Sequence, residues 1–157
     1  MDETLRRIER RARKSIFHAL LAAARKKGAK SVAVIDGDGR ELTYAEIIRA
    51  SFAIGGPLAR ATQAGEKVGI LLPTGAGAVI ALMAAFAQGR TPAMFNFTAG
   101  ARNLRAAARA AEVKKVVTAR KFIEIGKLEG LIAELEPDVD FLYLEDMKEA
   151  LSPLDKG

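Results

Sequence analysis

Val68-Gly69-Ile70-Leu71-Leu72 is an aliphatic run closed by Pro73-Thr74-Gly75, and an uncharged stretch over residues 75–88 follows it. The pair predicts a buried strand that leads through a turn into a helix, because strands covered on both faces read as continuous apolar runs. The same unit recurs downstream. Residues 92–97 read as a strand and 100–111 as a helix. Residues 115–118 read as a strand, followed by helical segments around 121–125 and 128–135. Last come a strand at 141–144 and a short helix at 146–151. Strands and helices alternating at this spacing predict an α/β fold, an open and mostly parallel sheet with helices on both faces.

Working outward toward the N-terminus, residues 31–36 read as a strand, Asp36-Gly37-Asp38-Gly39 as a tight turn and Arg40-Glu41-Leu42 as the return of a small β-hairpin. Thr43 reads as a helix N-cap with Glu46 at capping-box spacing. The helix it opens continues through Ile47, Ile48 and Phe52, and Gly55-Gly56-Pro57 predicts a kink or a division there. Residues 3–27 predict one amphipathic helix. Leu5, Ile8, Ala12, Ile16, Leu20 and Ala23 share a stripe, Arg6, Arg7, Arg10, Arg13 and Lys14 lie mostly off it, and Gly28 takes the C-cap. The expected organisation is a basic amphipathic helix over 1–28 and an α/β subdomain over 29–157.

Half of the 157 residues are hydrophobic but only 6% are aromatic, so the core must be aliphatic. With no cysteine, a disulfide scaffold and any thiolate chemistry are excluded. The charged N-terminus does not read as a signal peptide, and the run at 75–88 is too short to span a bilayer, so a cytoplasmic setting is expected. The net charge of +6 is unevenly spread. Residues 1–30 carry ten Lys/Arg against Asp2, Glu3 and Glu9, and the remainder carries fifteen basic and sixteen acidic side chains. The basic helix has three readings: docking on the domain, contact with an anionic membrane surface that would give inner-membrane association, and nonspecific contact with nucleic acid. Docking is the preferred one, since Ile16, Phe17, Leu20 and Leu21 broaden the apolar surface of its second half. No interleaving of aromatic and basic residues elsewhere supports a nucleic-acid partner.

The candidate chemistry is sparse. Residues 73–77 sit where a phosphate-binding turn would, but Gly75-x-Gly77-x-x-Ile80 lacks the third small residue, a lysine and a later ribose-binding acid; it reads as a plain strand-to-helix turn. Asp36-x-Asp38-Gly39 has Glu41 where a calcium loop needs glycine, which favours the hairpin. His18, the single histidine, has Ser15 one turn away, but a helical Ser–His pair lacks an oxyanion site and reads as satisfied or solvated.

The order of Leu42-Thr43-Tyr44-Ala45-Glu46, Gly65-Glu66-Lys67-Val68-Gly69-Ile70-Leu71-Leu72-Pro73, Gly89-Arg90-Thr91-Pro92 and Lys114-Lys115-Val116-Val117-Thr118 resembles the N-terminal subdomain of the AMP-forming acyl-CoA synthetase (adenylate-forming) superfamily. Residues 92–100, 110–114, 122–128 and 143–146 narrow the likeness to the branch of bifunctional acyl-[acyl-carrier-protein] synthetase / 2-acylglycerophosphoethanolamine acyltransferases. Together the segments cover residues 15–148. The resemblance implies a parent ligase that activates a fatty acid with ATP and Mg²⁺ and passes the acyl group to acyl carrier protein or CoA. In the bifunctional branch, phospholipid reacylation follows. Pro73-Thr74 departs from the commoner Pro-Asn, and Gly55-Gly56-Pro57 interrupts a helix that is usually continuous. The family's lysine-bearing phosphate loop, its ribose-binding acid and its adenylation lysine would lie beyond Gly157. No residue is therefore carried over as catalytic, cofactor-binding or metal-ligating. The chain is expected to be an inactive N-terminal fragment that packs on the remainder of the parent enzyme and self-associates without it.

Overall fold

The computed structural model describes residues 2–151, Arg11 through its backbone only. Met1 and residues 152–157, which close the second expected domain, lie outside the described residues. Four parallel strands form the central sheet: β3 (Lys67–Ile70), β4 (Thr91–Met94), β5 (Lys115–Thr118) and β6 (Asp140–Tyr143), in the spatial order β4-β3-β5-β6. Alternation along β3 sets the two layers. Val68, Ile70 and Leu72 face a core built with α3 (Tyr44–Ala61), α4 (Ala76–Ala87) and α8 (Leu144–Glu149). Leu71 and Val116 face the opposite core, shared with α5 (Ala101–Ala110), α6 (Arg120–Gly126) and α7 (Glu129–Leu135). The expected α/β class, with helices on both faces, is what the chain adopts.

The hairpin forms from β1 (Val32–Ile35) and β2 (Glu41–Thr43), antiparallel, with Val34 opposite Leu42. Leu42 anchors it in a third core with Ile47 and Ala76. Thr43 then starts α3 through a complete capping box. Its hydroxyl accepts from the Glu46 amide at 3.2 Å, and the Glu46 carboxylate accepts from the Thr43 amide at 2.8 Å. The Thr43 amide and hydroxyl hold the Glu46 carboxyl below its ordinary value.

Two expectations need correction. Pro57 does not divide α3, which runs unbroken over Tyr44–Ala61. An interior proline costs about 3 kcal/mol, and the packing of α3 against α2, α4 and α8 outweighs it. Gly55 is buried where α3 meets the end of α4; a Cβ there would lie 2.7 Å from the Gln88 side-chain amide. The second correction is at the N-terminus, where one expected helix is two: α1 (Glu3–Ala12) and α2 (Ile16–Lys27). Ser15 makes the break. Its Oγ caps α2 by accepting from the His18 amide at 3.2 Å, and a capping side chain competes with continuing the preceding helix. Only α2 docks, burying Phe17 and Ala24 and stacking Phe17 edge-on against Phe52 at 5.3 Å.

At the strands' N-terminal ends, one side chain ties the layers together. Arg90, just ahead of β4, donates to the carbonyls of Ala59 (3.1 Å), Thr62 (2.7 Å) and Gln88 and to the Thr62 hydroxyl (2.8 Å). Lys115 donates to the Ala61 carbonyl. These cations occupy carbonyls that α3 and α4 would otherwise leave open, where the helix dipole favours positive charge. On edge strand β4, Thr91 and Phe95 donate their amides to Glu66 and Ile70. The alternate position, Pro92, turns its nitrogen to the free edge and forfeits no ladder hydrogen bond.

Candidate functional site

The strand order places β3 and β5 side by side while their crossovers leave on opposite faces, α4 over one and α6 over the other. Such a switch point opens a crevice beyond the carboxyl ends of the two strands, the usual ligand position in open α/β sheets. A cleft of about 560 Å³ occupies that place. Its lining includes the buried Leu72, Ala78 and Leu144, residues of the hairpin turn (Asp36, Asp38 and Arg40), and Phe97 and Phe122. The two phenylalanines meet edge-on at 5.1 Å, and Ile125 beside them is 71% exposed. The strands themselves are sealed together: the Thr118 hydroxyl, fully buried, donates to the Leu71 carbonyl at 2.7 Å.

Two of the helices that begin at this cleft, α6 and α4, are treated differently. At α6, the Glu145 carboxylate accepts from the amides of Arg120 (3.0 Å) and Lys121 (3.2 Å). Burial works to raise the Glu145 pKa, but these amides and the Arg120 guanidinium outweigh it and hold the carboxyl below its ordinary value. Arg120 itself lies 4.1 Å over the Tyr143 ring and pairs with Asp146 at 2.9 Å. That hydrogen bond depresses the Asp146 carboxyl. At α4, Gly75 takes the cap position and no side chain accepts from the first amides. Neither Gly75 nor Gly77 is demanded by packing. A Cβ at Gly75 meets open space, and one at Gly77 would make an ordinary 3.9 Å contact with Leu144. Thr74 and Lys121, with Asp36, Asp38 and Arg40 of the hairpin turn, add polar groups to the cleft lining.

The candidates from sequence fall as follows. Residues 73–77 form a strand-to-helix turn, and that turn lines the cleft. Asp36 serves the hairpin, its carboxylate accepting from the amides of Asp38 (3.1 Å) and Arg40 (3.0 Å). His18 pairs through Nδ1 with the Ser15 hydroxyl at 2.8 Å on an exposed helix end and does not line the cleft. Among the described residues, no three His, Cys, Asp or Glu side chains are grouped to hold a metal ion. Sequence reasoning does not find the cleft, because Phe97, Phe122 and Leu144 meet only once the strand order is known. It also misses Arg90 and Lys115 as ties to the end of α3, since Ala59, Ala61 and Thr62 are distant in sequence.

Residues 20–154 match the family model described as AMP-binding enzyme. Among solved structures, the backbone is similar to that of o-succinylbenzoate coenzyme A synthetase (MenE) from Bacillus subtilis in complex with ATP and magnesium ion. The TM-score is 0.71 at 20% identity, over 87% of this chain and 34% of that one. The N-terminal domain of FACL13 from Mycobacterium tuberculosis gives a TM-score of 0.73 at 16% identity, over 87% and 35% of the two chains. VinN, in complex with 3-methylaspartate, gives 0.70 at 21% identity, over 89% and 37%. At these identities the likeness concerns the fold. The chain spans about a third of the length of the structures it resembles.

Proposed function

The chain belongs to the AMP-binding enzyme family, and we propose that it is the N-terminal α/β portion of a fatty-acid-activating ligase. The observation that carries the reading is the family match over residues 20–154, combined with coverage of about a third of the structurally similar chains. In the whole enzyme, ATP and Mg²⁺ would convert a fatty acid to an acyl-adenylate, and the acyl group would pass to acyl carrier protein or CoA. Residues 92–100 support the narrower assignment to the carrier-protein branch with an associated lysophospholipid acyltransferase.

This portion acts as a scaffold in that reading. The described residues do not fit Mg²⁺ and ATP by themselves: no group of carboxylates or imidazoles could hold a metal ion, and the turn at 73–77 carries no lysine. No chemical step is assigned to them. The sheet and the ties at its N-terminal ends fix the positions of β3 and β5, against whose open ends the remaining parts of the enzyme would pack.

Purified chain 1–157, given a fatty acid, ATP and Mg²⁺, is expected to show no ATP–pyrophosphate exchange; measurable exchange overturns the scaffold reading. Grafted in place of the corresponding segment of a fatty-acid-activating relative, the chain is expected to support exchange, and a folded but dead chimera would count against the assignment. A second reading, a self-contained nucleotide-binding or interaction module, is favoured by the cleft at the switch point. A stoichiometric calorimetric heat on titrating ATP into the isolated chain would select it. With a packing partner absent, exposed apolar surface also favours self-association, which sizing at rising concentration tests.

A further inference from the structure

The helix α1 is the one long element whose described side chains are exposed throughout. It is not shapeless surface. Leu5, Ile8 and Ala12 fall at helical spacings on one side, with Leu5 and Ile8 more than half exposed. Arg6, Arg7 and Arg10 lie on the opposite side, and Arg13 and Lys14 extend the charge into the break before α2. Residues 2–14 hold six basic side chains against Asp2, Glu3 and Glu9. The described part of α1 makes none of the chain's ion pairs.

We propose that α1 is a peripheral arm that lies on an anionic lipid surface, its Leu5–Ile8–Ala12 stripe toward the acyl boundary and its arginines among the headgroups. Charge complementarity selects an anionic partner, and the apolar stripe opposite the charge selects a surface with an apolar layer beneath. A nucleic-acid arm has no use for that stripe. No helix among the described residues is long and apolar enough to cross a membrane, and the ten residues of α1 suit a helix lying in the interface plane. The Ser15 cap starts α2 as a separate helix, so α1 is not a continuation of the helix that docks. This inference does not depend on the ligase reading: a chain with no part in acyl activation would carry the same arm.

The test is co-sedimentation of chain 1–157 with vesicles of phosphatidylcholine alone or mixed with phosphatidylglycerol. Binding is expected only to the mixed vesicles and to weaken with added salt. Arg6→Gln together with Arg10→Gln should lower partitioning roughly 30-fold, since each arginine near an anionic surface contributes about a fivefold factor. Because α1 is outside the cores, these variants are expected to keep the wild-type circular dichroism. Leu5→Ser together with Ile8→Ser should weaken vesicle binding while leaving retention on a cation exchanger unchanged. Equal binding to both vesicle types, no binding to either, or full binding by the arginine variant overturns the proposal. So does unchanged vesicle binding by the Leu5/Ile8 variant, or tighter binding to a duplex oligonucleotide than to the mixed vesicles.

Discussion

The two ends of the central sheet are built on opposite terms. At the N-terminal ends of the strands, Arg90 and Lys115 reach the carbonyls that close α3, and Arg90 also holds the end of α4. At the C-terminal ends, Gly75 opens α4 with no side-chain acceptor, and a cleft lies over the strands. One end commits long cationic side chains to closing backbone groups; the other uses glycines that no packing demand explains. The contrast separates the part of this fold that holds it together from the part left accessible.

The largest effect should come from the closed end. Arg90→Ala opens three carbonyls and a hydroxyl at once and is expected to cost about 3 kcal/mol in urea unfolding, because charge-assisted hydrogen bonds are the strong ones. A loss under about 1 kcal/mol would mean that water replaces Arg90 freely. Lys115→Met removes a single donor and should cost about 1.5 kcal/mol by the same measurement. If the two losses were equal, the fork geometry of Arg90 would add nothing.

At the cleft end, Glu145→Gln weakens the cap on α6 and should cost about 1 kcal/mol near neutral pH. The sign with pH follows from the depressed carboxyl. Its contribution is complete above the ordinary glutamate pKa and is lost as pH falls through the lower folded value. Wild-type stability should therefore drop in acid more than that of the Gln variant, and the difference isolates Glu145 from the other depressed carboxyls. Parallel curves would show that the cap does not depend on charge.

The smallest effects sharpen the comparison most. Gly77→Ala, exposed in the first turn of α4, should raise stability by about 0.5 kcal/mol, as alanine is the better helix former. Gly75→Ala should stay within about 0.5 kcal/mol of wild type. A large loss at either glycine would mean that the cleft end is as closely packed as the other.

Local chemistry made most elements readable. The aliphatic run at 68–72 gave β3, Thr43 with Glu46 gave the start of α3, and Asp36 gave the hairpin turn, because each signal acts between neighbours in sequence. Misreadings came where distant packing decides. Pro57 predicts a break on local grounds, but α3 continues through it, packed against three helices. Conversely, a continuous stripe over 3–27 predicts one helix, and a single Ser15 hydroxyl divides it. The cleft was legible only in part: the turn at 73–77 could be placed at a strand end, but not beside Phe97, Phe122 or Leu144. Those meet through the crossover that brings β5 next to β3, which no periodicity encodes.

Pro92 carries a consequence for how this protein behaves in concentrated solution. An open edge strand is a template on which a second chain can lay its own backbone and start a fibre. β4 cannot serve well in that capacity, since the donor a neighbouring strand would need at its second position is a ring carbon. Strand addition at this edge of the sheet is therefore disfavoured.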